Sequence, residues 1–152
     1  MKKTSKILAF IISVLILHRT PIVPINAYNA EIPTETSSIK TVGLIILYSL
    51  SVQCTNHKLV INAETYSNEE MKKIGLKNIV IQQSSNGYTW SDYATLDDML
   101  VNDTKHELYD YTVDVTTGYY YRVKCDHYAK EKGLFFPDEE SISNTSNSVY
   151  IS

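Results

Sequence analysis

The stretch Thr116–Tyr128, TTGYYYRVKCDHY, decides how the chain is read. Successive side chains on a strand point to opposite faces. Tyr119, Tyr121, Val123 and Cys125 then share one face, while Tyr120, Arg122, Lys124 and Asp126 share the other. The first set is core-like and the second is solvent-like, so the three tyrosines are not one cluster. Alternation continues through His127 and Tyr128 to a turn at 130–133, KEKG.

The same period runs outward in both directions. In YSLSVQC, Tyr48, Leu50, Val52 and Cys54 alternate with Ser49, Ser51 and Gln53. Leu59, Ile61 and Ala63 alternate with Lys58, Val60 and Asn62, which predicts an antiparallel partner beyond a TNH turn. NIVIQQ makes the next strand, and Asn86-Gly87 marks a hairpin. Trp90 is expected to pack back over that turn. In ELYDYTVDV the Tyr109, Tyr111, Val113 and Val115 face reads as inward and the acidic face as outward. Residues 67–75 are open between a loop and one helical turn, and residues 91–107 between strand, loop and short helix. LFFPDEE follows, and Val149 and Ile151 close a final strand. About seven short strands with regular turns predict an all-β fold, a single antiparallel β-sandwich over residues 42–152.

Ahead of that domain, Lys2, Lys3 and Lys6 precede an apolar run of 11 residues, Ile7 to Leu17. A membrane-spanning helix needs about 20 residues, so residues 1–27 read as a secretory signal peptide cut after Ala27. Residues 28–41 read as a polar flexible leader. The expected location is secreted, with no stable membrane insertion after cleavage. Removing residues 1–27 leaves ten basic against seventeen acidic side chains. A net charge of −7 repels phosphate backbones and disfavours nucleic acid as a partner. Cys54 and Cys125 are the only cysteines. In an exported chain they read first as one disulfide, worth roughly 4 kcal/mol by loop closure; two free buried thiols are the alternative.

The residues Y119-x-Y121-R122-V123-x-C125, with Gly118 just ahead, resemble the F strand of fibronectin type III domains. Gly133 and S148-V-Y-I-S resemble the loop glycine and last strand of that immunoglobulin-like family. The resemblance implies that Tyr119 is a tyrosine corner, its hydroxyl bonded to the backbone of Val115–Thr117. It further implies that Cys125 takes a small inward position to which Cys54 would bridge. The spacing departs from antibody domains, because Trp90 follows Cys54 by 36 residues. The chain is also similar to a family of small secreted proteins of Gram-positive bacteria built on a domain of unknown function, which implies no activity. SSNGYTW resembles the Asp-box hairpin of sialidase-like propellers, but one copy cannot build a propeller.

Candidate sites are few. Tyr120, Arg122 and Tyr128 on the outward face are a candidate aromatic–cationic patch for sugar or peptide. Leu134, Phe135 and Phe136, just past a turn, are candidates for partner binding or for covering the core end. Neither Asp138–Glu140 nor Asp97–Asp98 has calcium-loop spacing, and His57, His106 and His127 lack metal spacing, so no metal or cofactor is expected. Asp126 and His127 are strand neighbours on opposite faces, and no nucleophile motif occurs. The expectation is a non-enzymatic extracellular binding module for a protein or glycan. A self-associating assembly protein is the alternative.

Overall fold

The computed structural model describes residues 36–39 and 43–152; the expected signal peptide, residues 1–27, lies outside them. Among the described residues every regular element is a strand. The first four are β1 (Thr36–Ile39), β2 (Leu47–Thr55), β3 (Lys58–Tyr66) and β4 (Lys73–Ser84). Then come β5 (Ser91–Leu96), β6 (Met99–Val101), β7 (Lys105–Val113), β8 (Tyr119–Lys130), β9 (Glu139–Thr145) and β10 (Val149–Ile151). All pairings are antiparallel. One sheet runs β1-β2-β3-β7 and the other β10-β8-β4-β5, with β6 also on β4 and β9 also on β8. The chain crosses between sheets after β3, β6 and β7, giving an all-β antiparallel sandwich. β1 falls within the stretch read as leader, and its Thr36 and Ile39 pair with Leu50 and Leu47 of β2.

Alternation builds the core. Leu50, Val52, Leu59, Ile61 and Ala63 of the first sheet meet Leu76, Ile79, Ile81, Tyr121, Val123 and Cys125 of the second. A smaller apolar cluster of Ile45, Met71, Ile74 and Ala129 lies beside it. Burial of both clusters is the main stabilising term of the domain. β2 and β3 turn through Asn56 and His57, both at positive φ (51° and 61°), as a two-residue type I′ hairpin requires.

Two local irregularities alter the phase, and a third feature widens a turn. Asn78, at φ 51°, sits where the β4–β8 register shifts between Lys77 and Val80, so that Leu76 and Ile79 both face inward although three residues apart. A second shift, opposite Ile61/Ala63, falls beside Asp110 (φ 51°) on β7. It corrects the inward phase expected of Tyr109, while Val113 and Val115 beyond it pack against the core as expected. His106 is buried and Leu108 packs against the core, but Tyr109 is 57% exposed and Tyr111 is also exposed. The Tyr109 hydroxyl instead donates to the Glu64 carboxylate. The Asn-Gly hairpin forms through a longer loop than two residues, since β4 ends at Ser84 and β5 begins at Ser91. The Asn86 carboxamide oxygen accepts from the amides of Tyr88 and Thr89, both at 2.9 Å, which holds the wider loop together.

Candidate functional site

Strand β8 carries both of its halves into the fold. Inward, Tyr121, Val123, Cys125, His127 and Ala129 are all buried. Outward, Tyr120 and Arg122 meet residues from the Ser84–Trp90 loop and from β10. The Arg122 guanidinium lies over the Trp90 ring, 4.4 Å from its centre. Its Nε donates to Gln82 Oε1 at 2.9 Å, and Gln82 Nε2 donates to Asp92 Oδ1 at 2.8 Å. Register explains this, because Gln82 pairs with Arg122 on one side and with Asp92 on the other. Tyr120 lies over Gly87 and tilts against Tyr150, with ring centres 5.0 Å apart. Gly87 adopts φ 75°, a conformation that suits glycine and brings the loop backbone under the Tyr120 ring. Tyr88, next to Gly87 in the same loop, is 88% exposed.

Tyr128 shares the outward phase but does not join this patch. It is buried, its hydroxyl donates to Glu139 Oε2 at 2.6 Å, and Lys77 Nζ sits 4.5 Å over its ring. Burial and the Glu139 carboxylate push its hydroxyl up to about 12. Leu134, Phe135 and Phe136 occupy the β8–β9 loop, 95%, 86% and 97% exposed, and cover no core. That loop is closed at its base by Glu131 N donating to the Asp138 carbonyl at 3.0 Å.

Two structural expectations are corrected. Cys54 and Cys125 are free thiols. Cys54 has the core-facing phase of β2 and pairs with the buried Leu59, but β1 covers β2 only as far as Leu50, and Gln53, Cys54 and Thr55 are all exposed. Cys125 lies in the main core, where burial pushes its thiol up to about 12. The corner hydroxyl bond belongs to Tyr121 rather than Tyr119: Tyr121 Oη donates to the Thr116 carbonyl at 2.6 Å and accepts from Gln83 Nε2 at 2.7 Å. Tyr121 is fully buried, so its hydroxyl requires partners. Tyr119, at the first position of β8, is half-buried against the core.

A buried polar row went unrecognised in the sequence. His127 lies between Cys125 of the main core and Ala129 of the smaller one. Its Nδ1 is 2.7 Å from Thr65 Oγ1, and its ring is 5.1 Å from that of Tyr48. His106 pairs with Thr65 across β3–β7 and leaves its buried Nδ1 without a partner. Burial lowers the pKa of both, that of His127 to about 4. Odd-numbered phase along β8 was the signal for His127. His106 needed the β7 phase shift.

A cleft of about 350 Å³ lies beside the β4 bulge, lined by Asn78, Cys125, Asp126, Ser143 and their neighbours. Asp126 accepts from Asn78 Nδ2 at 2.7 Å and from Ser143 Oγ at 2.6 Å, which holds its carboxyl below the usual range. Its oxygens are committed to the fold, and the Cys125 thiol beside it is protonated. Neither is poised as a base or nucleophile. Among the described residues no three His, Cys, Asp or Glu side chains converge as a metal set. Compared with protein-family models, curated proteins and solved structures, the chain matches none.

Proposed function

We propose that this chain is a secreted, non-catalytic binding module of fibronectin type III-like build, acting outside the cell on an extracellular protein or glycan. The observation that carries this reading is the stack of Arg122 on Trp90 beside the Tyr120–Tyr150 pair. Aromatic rings offer apolar faces, a guanidinium offers planar donors, and both kinds of side chain concentrate binding energy at interfaces. Strand order and the Tyr121 hydroxyl bond support the fibronectin-like build. The basic and apolar start of the chain supports secretion. The test is a screen of immobilised glycans and peptides with wild-type protein and a Tyr120→Ala/Tyr150→Ala variant. Binding lost in the variant is expected; a ligand that binds the folded variant equally well removes the patch from the site.

The exposure of Leu134, Phe135 and Phe136 favours a second reading, self-association through the β8–β9 loop. Light scattering coupled to size exclusion tests it. A dimer or larger species that reverts to monomer in Phe135→Ser/Phe136→Ser supports assembly, and a monomer at all concentrations rejects it.

A further inference from the structure

Arg122 is the only arginine among the described residues, and it is immobilised without being neutralised. One face of its guanidinium is covered by Trp90, and its Nε is taken by Gln82. Gln82 is itself fixed by Asp92, so its carboxamide cannot turn over without losing both bonds. Four of the five guanidinium N–H donors lie on the two terminal nitrogens. Residues 43–152 carry fifteen acidic side chains, yet among the described residues none forms an ion pair with Arg122. The fold therefore orders a long side chain and leaves its carboxylate-matching edge open. Ordering in advance removes part of the entropy cost of binding.

We propose that the patch takes an acidic oligosaccharide whose sugar carboxylate pairs with the terminal nitrogens of Arg122, while Tyr120, Tyr150 and Tyr88 receive the C–H faces of the sugar rings. This rests on the binding-module reading above and adds the ligand class to it. A guanidinium fork fits a carboxylate with two parallel hydrogen bonds. A sugar suits the site better than an extended peptide. The patch lies on a sheet face whose strand β8 is already paired on both sides, by β4 and by β9 and β10. A peptide that extends this sheet does so along its outer strands, β10 or β5, and not over Tyr120 and Arg122 at its middle. The domain's overall negative charge does not prevent pairing at contact distance, because exposed charges are screened beyond about 10 Å at 0.1 M salt.

The experiment titrates the full chain with short oligogalacturonates, each beside its neutral methyl ester, by calorimetry and NMR. Titrations run for wild type, Arg122→Lys, Arg122→Gln and Tyr120→Ala, each checked for folding by circular dichroism. The acid is expected to bind about tenfold or more tighter than the ester. Arg122→Lys, which keeps the charge but loses the fork, is expected to lose most of that preference while still folding. Equal binding of acid and ester overturns the carboxylate assignment; if Tyr120→Ala then weakens both, the patch itself stands. Tight acid binding unaffected by either Arg122 variant also overturns it. No uronate bound in the millimolar range, with or without capture of an acidic peptide, overturns the sugar assignment.

Discussion

Lowering the pH from 7 to 5 should weaken this fold through His127. That ring is fully buried, between Thr65 and Tyr48 of the first sheet, His106 of β7 and Asn144 of β9, with Asp126 next in the chain. Burial lowers its pKa from 6.5 to about 4, and the nearby His106 adds to the shift while Asp126 opposes it. The folded state keeps His127 neutral where the unfolded chain protonates it. Unfolding therefore takes up a proton, and stability falls as the pH drops below the unfolded value. Linkage between those two values gives a loss of about 2 kcal/mol at pH 5 and about 3 kcal/mol at pH 4. His106, whose pKa is also lowered by burial, pushes in the same direction. The depressed carboxyls of Asp126, Glu107 and Glu139 lose their contribution only at lower pH, so the window from 7 to 5 belongs to histidine. Against a total of roughly 5–15 kcal/mol for a domain, that is a large fraction. Urea unfolding followed by the fluorescence of Trp90, the only tryptophan, gives the midpoint at each pH. In His127→Gln the fold should be weaker at pH 7 but its pH dependence much flatter. A wild-type midpoint that does not move between pH 7 and 5, or a His127→Gln slope equal to wild type, refutes the reasoning.

Tyr121→Phe should cost about 1–2 kcal/mol by urea unfolding, because the Thr116 carbonyl and Gln83 amide lose a buried partner. Tyr119→Phe should cost much less, and the reverse ranking would return the corner role to Tyr119. Gly75→Ala should destabilise by about 3 kcal/mol or prevent folding, since Gly75 has φ 147° and an added Cβ would sit 2.0 Å from the Met99 carbonyl oxygen. A soluble variant with wild-type thermal stability would contradict that crowding. In the native protein a maleimide should label Cys54 alone, and Cys125 only in denaturant. Two labels at native pH would mean the core opens, and no labels without reductant would mean a bridge.

What was legible in the sequence is what a period of two carries locally. The strand β8 shows its two faces in twelve residues because nothing in it breaks phase, and β2 and β3 behave likewise. A bulge defeats such reading, since one extra residue puts the side chains before it out of phase with those after it. Hence Tyr109 reads as core and stands in solvent. The cysteine pair reads as a bridge from count and compartment, but pairing depends on the end of β2 being exposed beyond its β1 partner, which no local pattern records. Trp90 and Arg122 are separated by 32 residues, and only the β4–β8 and β4–β5 registers bring them together. Arg122 could be placed outward from sequence; the Trp90 beneath it and the Gln82 beside it could not. The inward half of the motif is explained by the fold alone, since Tyr121, Val123 and Cys125 are there to be buried. The outward half has no such explanation. A solvent-facing arginine needs neither a stacked indole nor an oriented glutamine to keep a sandwich folded, which is why the binding role proposed above is placed on Gln82, Trp90 and Arg122.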